Sequence, residues 1–570
     1  MDNKLANNTI FAFILILLIV GLYSSIITGF SWDEYFHHIN GNVRFRYYAT
    51  FGEVNQLDFR NIKFYPGLYD TLSYSISHII FLLNKNFFIN YLAEIMHTIN
   101  FLFSALSILG LYLLSKKIFN KRIALLASML TLLNPFFFGH MGINSKDVII
   151  FFSLIWFCYF FYKYLTEEEK VIKNLLYSSF FLGFGCGVRL SFPVVIIPVI
   201  IPGIIYLIIK YRYNYWTLFK RIVSHSLIAI IVTTFLVLLC WPHMLIEIQK
   251  GNFVIFFSEI VKNTLSWIDG PKIGLINGEF YEVFNTPKTY FISILKHRMP
   301  FYSTFLVIIS IMIFFKKDLL IKQRINYFNI KFIVLLFICF FPIFLFILMD
   351  VNIYDNVRLF IFIIPFFCLI SAFALDFLLS NFNSTWSSKI GLVLTVTLFS
   401  LSFYRFIYLT PYQYSYVNFS YPKYQDSLGK FELDYWGASY KELVKEIKNN
   451  HTQEEISKFK IADCGGGDFT LIYYMNKYLG LNQTYSDARL DEATHIVMNN
   501  RAFLDVFENN YVKNLVNQKD GSMLVSDMVK VVRAPGVKQM CYDYNLFSGE
   551  ETAKVTRGKL PLTVFRKIDK

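Results

Sequence analysis

The chain has 570 residues, of which 55% are hydrophobic and only 16% are charged. Soluble proteins carry roughly 25% charged residues, so the composition excludes an ordinary soluble protein and indicates one that crosses a membrane many times. The net charge of +14 does not indicate nucleic-acid binding, because most lysines and arginines lie in short loops between apolar runs, where membrane orientation favours them.

Apolar runs of about 20 residues can cross a bilayer as helices. The sequence contains about eleven such runs, some of them short. The first is too long for a signal-peptide core and has no small-residue cleavage site after it, so we expect an uncleaved span. The expected spans are 10–29, 94–115, 123–138, 148–165, 175–190, 192–209, 222–241, 301–315, 332–349, 359–380 and 390–409.

Three basic clusters, at 116–122, 210–221 and 316–331, fall on one side of the membrane if the N-terminus is cytoplasmic. Residues 175–209 must then form two helices with a break near Arg189. The opposite, extracytoplasmic face receives four loops and the tail after Thr410. These loops are 30–93, 139–147, 242–300 and 350–358.

Loop 30–93 opens with Asp33 and Glu34, directly after the first span. We expect helices along the membrane interface here, with a turn at 65–67. On a helix, Asp33 and His37 share one face, being four residues apart. Carboxylates at a dry interface suit general-base chemistry or metal binding. The alternative is a helix cap, in which Ser31 or Asp33 accepts backbone N–H bonds.

Loop 139–147 packs His140, Asn144, Lys146 and Asp147 into nine residues between two spans. Polar groups at a membrane boundary are costly unless they are paired. The loop is therefore a second candidate for a functional site. The alternative is that Lys146 and Asp147 simply pair and end the helices.

A third outer loop carries Tyr354, Asp355 and Arg358. An arginine that opens a helix can bind a phosphate with two parallel hydrogen bonds, although lipid-headgroup anchoring is a common alternative. Further basic residues lie singly at other outer helix ends. They are Arg189, His243 and Arg298.

The tail, residues 411–570, is more polar than the rest of the chain. Residues 460–464 predict a strand, 469–479 a helix and 494–498 a second strand, which is a βαβ-like pattern typical of a small α/β domain. The glycine run at 465–467 lacks the remainder of a phosphate loop, so we interpret it as a turn. No loop on either face predicts a nucleotide site, and an activated sugar would have to arrive attached to lipid.

Several of these features occur together in one family of membrane enzymes. They are Trp32-Asp33-Glu34 after the first span, the amphipathic first outer loop, His140 with Asn144-Ser145-Lys146-Asp147, Tyr354-Asp355-Asn356-Val357-Arg358 before an apolar helix, and residues 411–418 leading to Asp434-Tyr435-Trp436-Gly437.

Over roughly residues 1–440 the layout resembles the GT-C superfamily of integral-membrane glycosyltransferases. Within it, the chain is similar to the protein O-mannosyltransferase and aminoarabinose-transferase-like group, glycosyltransferase family 39. The resemblance implies a polytopic α-helical GT-C-like domain over 1–410, including outer loops 30–93 and 242–300, followed by an extracytoplasmic α/β domain over 411–570. It also implies a multi-pass protein of a bacterial inner membrane.

The resemblance further implies an inverting transfer of a hexosyl or pentosyl group from a polyprenyl-phosphate-linked donor to a lipid, glycan or protein acceptor. Asp33 would be the base and Glu34 would support it. Cations would stabilise the departing phosphate. The candidates for that role are Lys146, Arg189, Arg298 and Arg358, and the other candidate site residues are His37, His140, Asn144, Asp147, His243, Tyr354 and Asp355.

Some superfamily members use a divalent metal, which Asp33, Asp147 and His37 could bind here, but we predict no metal site. Two other functions stay open at this point. One is a transporter or flippase of lipid-linked sugars, which would need mid-membrane polar residues and repeated halves. The other is an acyl- or phosphate-transferring enzyme with His140 or His243 as its base.

Overall fold

The computed structural model describes residues 3–55, 57, 62–266, 273–315, 328–349, 352–356, 358–464, 468–481, 493–501 and 549–569. The predicted turn at 465–467 and most of the third basic cluster lie outside these residues.

The protein is mainly helical, as the long apolar runs predict, because a helix satisfies its own backbone hydrogen bonds in lipid. The helices of the N-terminal half are α1 (Asn3–Ile27), α2 (Trp32–Ala49), α3 (Leu68–Leu83), α4 (Lys85–Ile118), α5 (Lys121–Leu132), α6 (Pro135–His140), α7 (Asp147–Thr166), α8 (Val171–Val188), α9 (Phe192–Lys210), α10 (Tyr215–Leu239), α11 (Pro242–Gln249) and α12 (Phe253–Ser266). Those that follow are α13 (Tyr290–Arg298), α14 (Phe301–Phe315), α15 (Phe328–Leu348), α16 (Ile364–Ser380), α17 (Trp386–Tyr408), α18 (Tyr440–Asn450), α19 (Gln453–Ser457) and α20 (Asp468–Leu479).

Within the described residues, nine helices are long and apolar enough to cross a membrane, or ten if the bent pair α13–α14 forms one span. This confirms a polytopic membrane protein, with one or two spans fewer than expected. The expected span 123–138 is divided into two helices, α5 and α6. The Asn134 side chain accepts the backbone N–H groups of Phe136 and Phe137 at 3.1 and 3.3 Å, and Pro135 has no N–H to continue the preceding helix, so α5 stops at Leu132 and α6 starts afresh.

Residues 175–209 form two helices, α8 and α9, as predicted, and the chain reverses between Val188 and Phe192. Loop 30–93 contains α2 and α3, and Gly67 makes the predicted turn between them with a φ of +72°, where glycine is favoured. The Arg44 guanidinium fastens this turn by donating to the carbonyl oxygens of Tyr65 and Pro66.

The predicted outer segments meet at one end of the helix bundle. The backbone N–H of Trp32 donates to the carbonyl of Trp436 at 3.0 Å, and Lys441 pairs with Glu94 at 2.9 Å. Which membrane face this end occupies stays a prediction.

The tail contains the predicted βαβ unit. Strands β3 (Ile461–Cys464) and β4 (His495–Asn499) pair in parallel, and α20 lies between them in the chain. A hairpin of β5 (Glu551–Arg557) and β6 (Leu560–Lys567) extends the sheet in the order β3-β4-β6-β5. This confirms a C-terminal α/β fold, while the domain boundary at residue 410 stays a prediction. A two-stranded hairpin of β1 (Ile273–Ile276) and β2 (Glu279–Glu282) lies in the loop that follows α12.

Candidate functional site

The two adjacent carboxylates at the start of α2 point into different surroundings. Glu34 is fully buried, and its Oε2 accepts the backbone N–H of Ser31 at 2.7 Å. This bond caps the first turn through Glu34, whereas the alternative interpretation named Ser31 or Asp33 as the acceptor. Asp33, one residue earlier, has a side chain that is 44% exposed. Only Asp33 is therefore open to a substrate.

Glu34 belongs to a sealed cluster with His97 and Asn100 on α4, which we call the Glu34 cluster. His97 Nε2 lies 3.1 Å from Glu34 Oε2, and Asn100 Nδ2 donates to Oε1 at 3.3 Å. His97 Nδ1 donates to the Ser25 carbonyl at 2.8 Å. A carbonyl can only accept, so Nε2 and Glu34 share one proton between them. The cluster joins α1, α2 and α4.

Asp33 contacts a guanidinium that is shared among three carboxylates. Arg358 Nη1 donates to Asp33 Oδ2 at 2.8 Å and lies 3.1 Å from Asp355 Oδ2. Its Nε lies 3.6 Å from Asp147 Oδ2. The guanidinium is 6% exposed and sits beside the Tyr354 ring, 5.1 Å from its centroid. Three loops that are distant in sequence are thus joined by one arginine.

Asp147 is held by its own loop and by a second arginine. Asn144 Oδ1 accepts the backbone N–H of Asp147 at 2.7 Å and of Lys146 at 3.1 Å, and Asn144 Nδ2 donates to Asp147 Oδ2 at 3.2 Å. Arg189, from the turn between α8 and α9, pairs with Asp147 at 2.5 Å. The predicted second loop therefore faces the first.

Lys146 differs from these arginines. Its Nζ lies over the Tyr65 ring, 4.4 Å from the centroid, and within the described part of the chain no carboxylate comes within ion-pair distance of it. Burial foremost, and then the charge of Arg189, lower the pKa of Lys146 to about 8. A cation with an aromatic neighbour and no carboxylate in an ion pair with it is suited to receive an anionic ligand.

The C-terminal domain adds one more cation. Arg501, two residues beyond β4, lies 3.5 Å from Asp355 Oδ1 and 4.2 Å above the Trp32 ring. We call the whole set the outer charge cluster. It comprises Asp33, Lys146, Asp147, Arg189, Asp355, Arg358 and Arg501.

The pKa values of Asp33 and Asp355 shift in opposite directions. Burial raises the pKa of Asp33, but the nearby positive charges, that of Arg358 foremost, outweigh burial and lower it. For Asp355 burial prevails over the charges of Arg501 and Arg358, so its pKa is raised. Asp33 is consequently the carboxylate that combines accessibility with an ionised state.

Two predicted histidines have other surroundings. Burial lowers the pKa of His140 to about 3, and its Nε2 bonds the Tyr435 hydroxyl at 3.0 Å. His243 Nε2 bonds the Leu57 carbonyl at 2.9 Å, beside a separate cavity of about 430 Å³. Both imidazoles therefore form hydrogen bonds with groups other than Asp33.

Arg298 is enclosed and bonded to the protein itself. It donates to the carbonyls of Ser415, Tyr416 and Glu432 at 2.6–3.0 Å and to Asn356 Oδ1 at 2.8 Å. Asn356 has a φ of +60°, a conformation that non-glycine residues seldom adopt. Arg298 thus holds the loop that carries Asp355, rather than facing the exposed side of Asp33.

Four residues of these two clusters and their surroundings were missed by sequence reasoning, namely Asp70, His97, Asn100 and Arg501. His97 and Asn100 are polar residues inside an apolar span, which is a recognisable sign of a functional or structural role. Asp70 lies in the first turn of α3 and has the appearance of an ordinary helix-terminus charge. No comparable signal distinguishes Arg501.

The possible metal ligands do not fit a divalent cation in this arrangement. Asp33 and Asp147 both contact the Arg358 guanidinium, and His37 Nδ1 lies 3.0 Å from Asp70. Among the described residues, no group of three His, Cys, Asp or Glu side chains has a geometry suited to a metal. We therefore derive no chemical step through a metal.

Residues 81–241 match the model of the family described as dolichyl-phosphate-mannose-protein mannosyltransferase. The match confirms the resemblance to the protein mannosyltransferase group over this segment, which contains Lys146, Asp147 and Arg189. No curated protein sequence matches the chain.

Solved structures of two enzymes are similar to the chain at low sequence identity. ArnT from Cupriavidus metallidurans bound to undecaprenyl phosphate is 10% identical, with 98% of each chain covered and a TM-score of 0.46. Its apo state is 11% identical with a TM-score of 0.47 and the same coverage. The oligosaccharyltransferase AglB from Archaeoglobus fulgidus, in complex with an inhibitory peptide and a dolichol-phosphate, is 14% identical, with 83% of this chain and 61% of that chain covered and a TM-score of 0.39.

Proposed function

We propose that the protein is an inverting GT-C-type glycosyltransferase that moves a hexosyl or pentosyl group from a polyprenyl-phosphate-linked donor to an acceptor hydroxyl. Transfer would occur on the extracytoplasmic face of the membrane, in a bacterium on the periplasmic side of the inner membrane. The observation that carries the proposal is the 2.8 Å contact between the half-exposed Asp33 carboxylate and buried Arg358, with Lys146 nearby. A candidate base and cations that can bind the anionic lipid phosphate therefore lie together.

Asp33 acts as the general base. Its lowered pKa keeps the carboxylate ionised at neutral pH, and its exposed side gives an acceptor hydroxyl access to it. As the hydroxyl proton passes to Asp33, the acceptor oxygen bonds to the anomeric carbon. The bond from that carbon to the phosphate oxygen breaks at the same time, which inverts the configuration, and the electron pair leaves with the lipid phosphate.

The cations act on the leaving group. Negative charge on the lipid phosphate grows as the sugar departs, so fixed positive charges stabilise the transition state more than the ground state. Lys146 is the first candidate because no described carboxylate lies within ion-pair distance of it. Arg358 and Arg189 already pair with aspartates and act as further donors to the phosphate. Arg298 acts indirectly, through the loop that bears Asp355.

The comparisons support the same class of reaction. The matched family model is that of a dolichyl-phosphate-mannose-dependent enzyme, and the descriptions of the two similar structures name undecaprenyl phosphate and dolichol-phosphate as bound molecules. A polyprenyl-phosphate sugar is therefore the donor class to test first. Protein, lipid and glycan hydroxyls are all candidate acceptors.

The two alternative functions have less support. The charged residues described above lie at helix ends, whereas a transporter needs them near the membrane centre. A histidine base is disfavoured because His140 and His243 both bond protein groups, and the pKa of His140 is low.

The test is donor turnover by the full chain in proteoliposomes. Undecaprenyl-phosphate mannose and undecaprenyl-phosphate aminoarabinose serve as probes, with lipid A, peptide and glycan acceptors. We expect acceptor-dependent release of undecaprenyl phosphate, reduced by about 10²–10⁴-fold in Asp33→Asn and unchanged in His243→Gln. Release unaffected by Asp33→Asn would contradict the role of Asp33, and translocation of intact donor without release would favour the transporter.

A further inference from the structure

The short segment that joins the first span to the proposed base is held by the C-terminal domain. Helix α1 ends at Ile27 and α2 begins at Trp32, and we call residues 28–31 between them the strap. The backbone groups at the end of one helix and the start of the next lack partners within those helices. The groups that bond the strap therefore decide where α2 begins, and with it where Asp33 lies.

Two backbone N–H groups of the strap donate to the C-terminal domain. Gly29 donates to the Ala438 carbonyl at 3.0 Å, and Phe30 donates to the Tyr474 hydroxyl at 2.8 Å. Phe30 and Tyr474 are both fully buried, and a buried N–H group is costly when it has no partner. Tyr474 thus holds the strap through its backbone.

The carbonyl groups around the end of α1 contact a buried lysine of α18. Lys441 Nζ donates to the Ile26 carbonyl at 2.8 Å and to the Thr28 carbonyl at 3.3 Å, and it pairs with Glu94 at 2.9 Å. Its side chain is 5% exposed. Carbonyls at a helix C-terminus carry partial negative charge, so the Lys441 ammonium caps α1 from the C-terminal domain.

The strap also fits closely against the C-terminal domain at Gly29. A Cβ atom at this position would lie 2.6 Å from the Ala438 carbonyl oxygen and 2.9 Å from Lys441 Cβ, which is closer than real Cβ atoms approach. Glycine is the residue that permits such an approach of two backbones. The strap therefore has little room to shift while Lys441 and Ala438 stay in place.

The same domain also contacts the partner of Asp33. Trp32, the residue before Asp33, donates its backbone N–H to the Trp436 carbonyl at 3.0 Å. The Trp436 ring centroid lies 4.9 Å from Arg358 Cζ, and Arg358 Nη1 donates to Asp33 at 2.8 Å. Trp436 thus contacts both the start of α2 and the guanidinium that Asp33 binds.

We propose that Lys441 and Tyr474 are positioning residues of the transfer reaction, which hold the strap so that the Asp33 carboxylate stays against Arg358. The inference rests on the proposed function. Both residues act through the backbone that leads to Asp33, and neither is assigned a contact with the substrate. A displacement of about 1 Å can lower a rate about 10²-fold, because the base and the reacting atoms must be aligned. The C-terminal domain is thereby part of the catalytic geometry.

The chain offers a matched control for each of the two residues. Lys477, on α20, pairs with the same Glu94 at 3.7 Å, and among the described residues it donates to no carbonyl of the strap. Tyr302, a buried tyrosine of α14, donates its hydroxyl to the Leu133 carbonyl at 3.2 Å. Lys477→Gln thus removes a cation from the same interface, and Tyr302→Phe removes a buried hydroxyl, without changing the bonds of the strap.

The experiment is a double-mutant cycle with Asp33, measured as the single-turnover rate of undecaprenyl phosphate release per folded molecule. We expect Lys441→Gln and Tyr474→Phe each to lower this rate about 10-fold, with the KM for the donor unchanged within about twofold. In the Asp33→Asn background the same substitutions should cause little further loss, because a displaced strap acts through Asp33. Lys477→Gln and Tyr302→Phe should keep the wild-type rate.

A wild-type rate per folded molecule in Lys441→Gln or Tyr474→Phe would overturn the role of that residue. Equal fold-losses in the wild-type and Asp33→Asn backgrounds would overturn the proposal, because a general structural defect lowers both rates alike. Equal losses in Lys441→Gln and Lys477→Gln would do the same. Tyr474→Phe is nearly isosteric and keeps the test decisive if Lys441→Gln does not fold. Failure of the proposed function differs from all of these, since the wild type would then release no undecaprenyl phosphate.

Discussion

Asp33 and Glu34 are adjacent in the chain and belong to two different polar systems. The outer charge cluster around Asp33 is partly open and contains Lys146, which has no carboxylate within ion-pair distance among the described residues. The Glu34 cluster is closed, and the hydrogen bonds of Glu34 to Ser31, His97 and Asn100 are made within the protein. The comparison shows that a carboxylate can take part in a reaction when a substrate can reach it. A carboxylate whose hydrogen-bond partners enclose it contributes to stability instead.

Removing the shared guanidinium should give the largest effect among the cations. Arg358→Gln leaves Asp33, Asp147 and Asp355 close together without Arg358 and removes a donor to the leaving phosphate. We expect kcat to fall about 10²–10³-fold, measured as release of undecaprenyl phosphate. Arg46→Gln, on the exposed side of α2, is the matched control, and equal losses in the two variants would contradict the role of Arg358.

Lys146 should affect donor binding more than the chemical step. Lys146→Gln removes a charged hydrogen-bond donor worth about 1.5–3 kcal/mol, so the KM for the donor should rise about 10- to 100-fold. Lys63, another outer lysine, is 44% exposed and pairs with Glu259, and Lys63→Gln should leave KM unchanged.

The same lysine predicts a basic limb. Because the pKa of Lys146 is lowered to about 8, the side chain loses its charge as pH rises through that value, and donor KM should increase above about pH 8. Lys146→Gln should abolish this increase, and Lys146→Arg should move it to higher pH. A basic limb that persists in Lys146→Gln would assign it to another group.

Arg501 tests whether the C-terminal domain takes part in the site. Arg501→Gln removes a cation over Trp32 and a partner of Asp355, and a loss of about 1 kcal/mol, or roughly fivefold in kcat/KM, is expected. An effect on thermal stability alone, with unchanged kcat/KM, would reduce Arg501 to a contact between domains.

Substitution of Glu34 should change stability, whereas substitution of the outer residues should change turnover or donor binding. Glu34→Gln weakens a buried pair with His97 and should lower the free energy of unfolding by about 1–3 kcal/mol, seen as a lower melting temperature in detergent. The control is Glu454→Gln, in an exposed i,i+4 pair with Lys458, which should change little.

The shared location of the charged helix ends could be predicted from the sequence. The order of spans and basic loops predicted that Asp33, Lys146, Asp147, Arg189 and Arg358 would lie on the same face of the membrane. The apolar run after Lys121 did not reveal that two helices form it, although Asn134-Pro135 is the local signal for the break.

What the sequence could not predict is the direction in which each side chain points. The same topology that brings Arg358 to Asp33 directs Arg298 and His140 toward backbone carbonyls and Tyr435, and this depends on tertiary packing. Arg501 reaches the site from a domain whose placement no local pattern encodes. Asp70 comes into contact with His37 only because α3 packs against α2.

The most direct measurement is single-turnover release of undecaprenyl phosphate from its mannosyl or aminoarabinosyl conjugate by Asp33→Asn and Glu34→Gln, each divided by the fraction of folded protein. We predict that Glu34→Gln retains the wild-type rate per folded molecule within about threefold, while Asp33→Asn loses at least about 10²-fold. Equal rates for the two variants, or a greater loss in Glu34→Gln, would contradict the assignment of Asp33 as the base and of Glu34 as its structural neighbour.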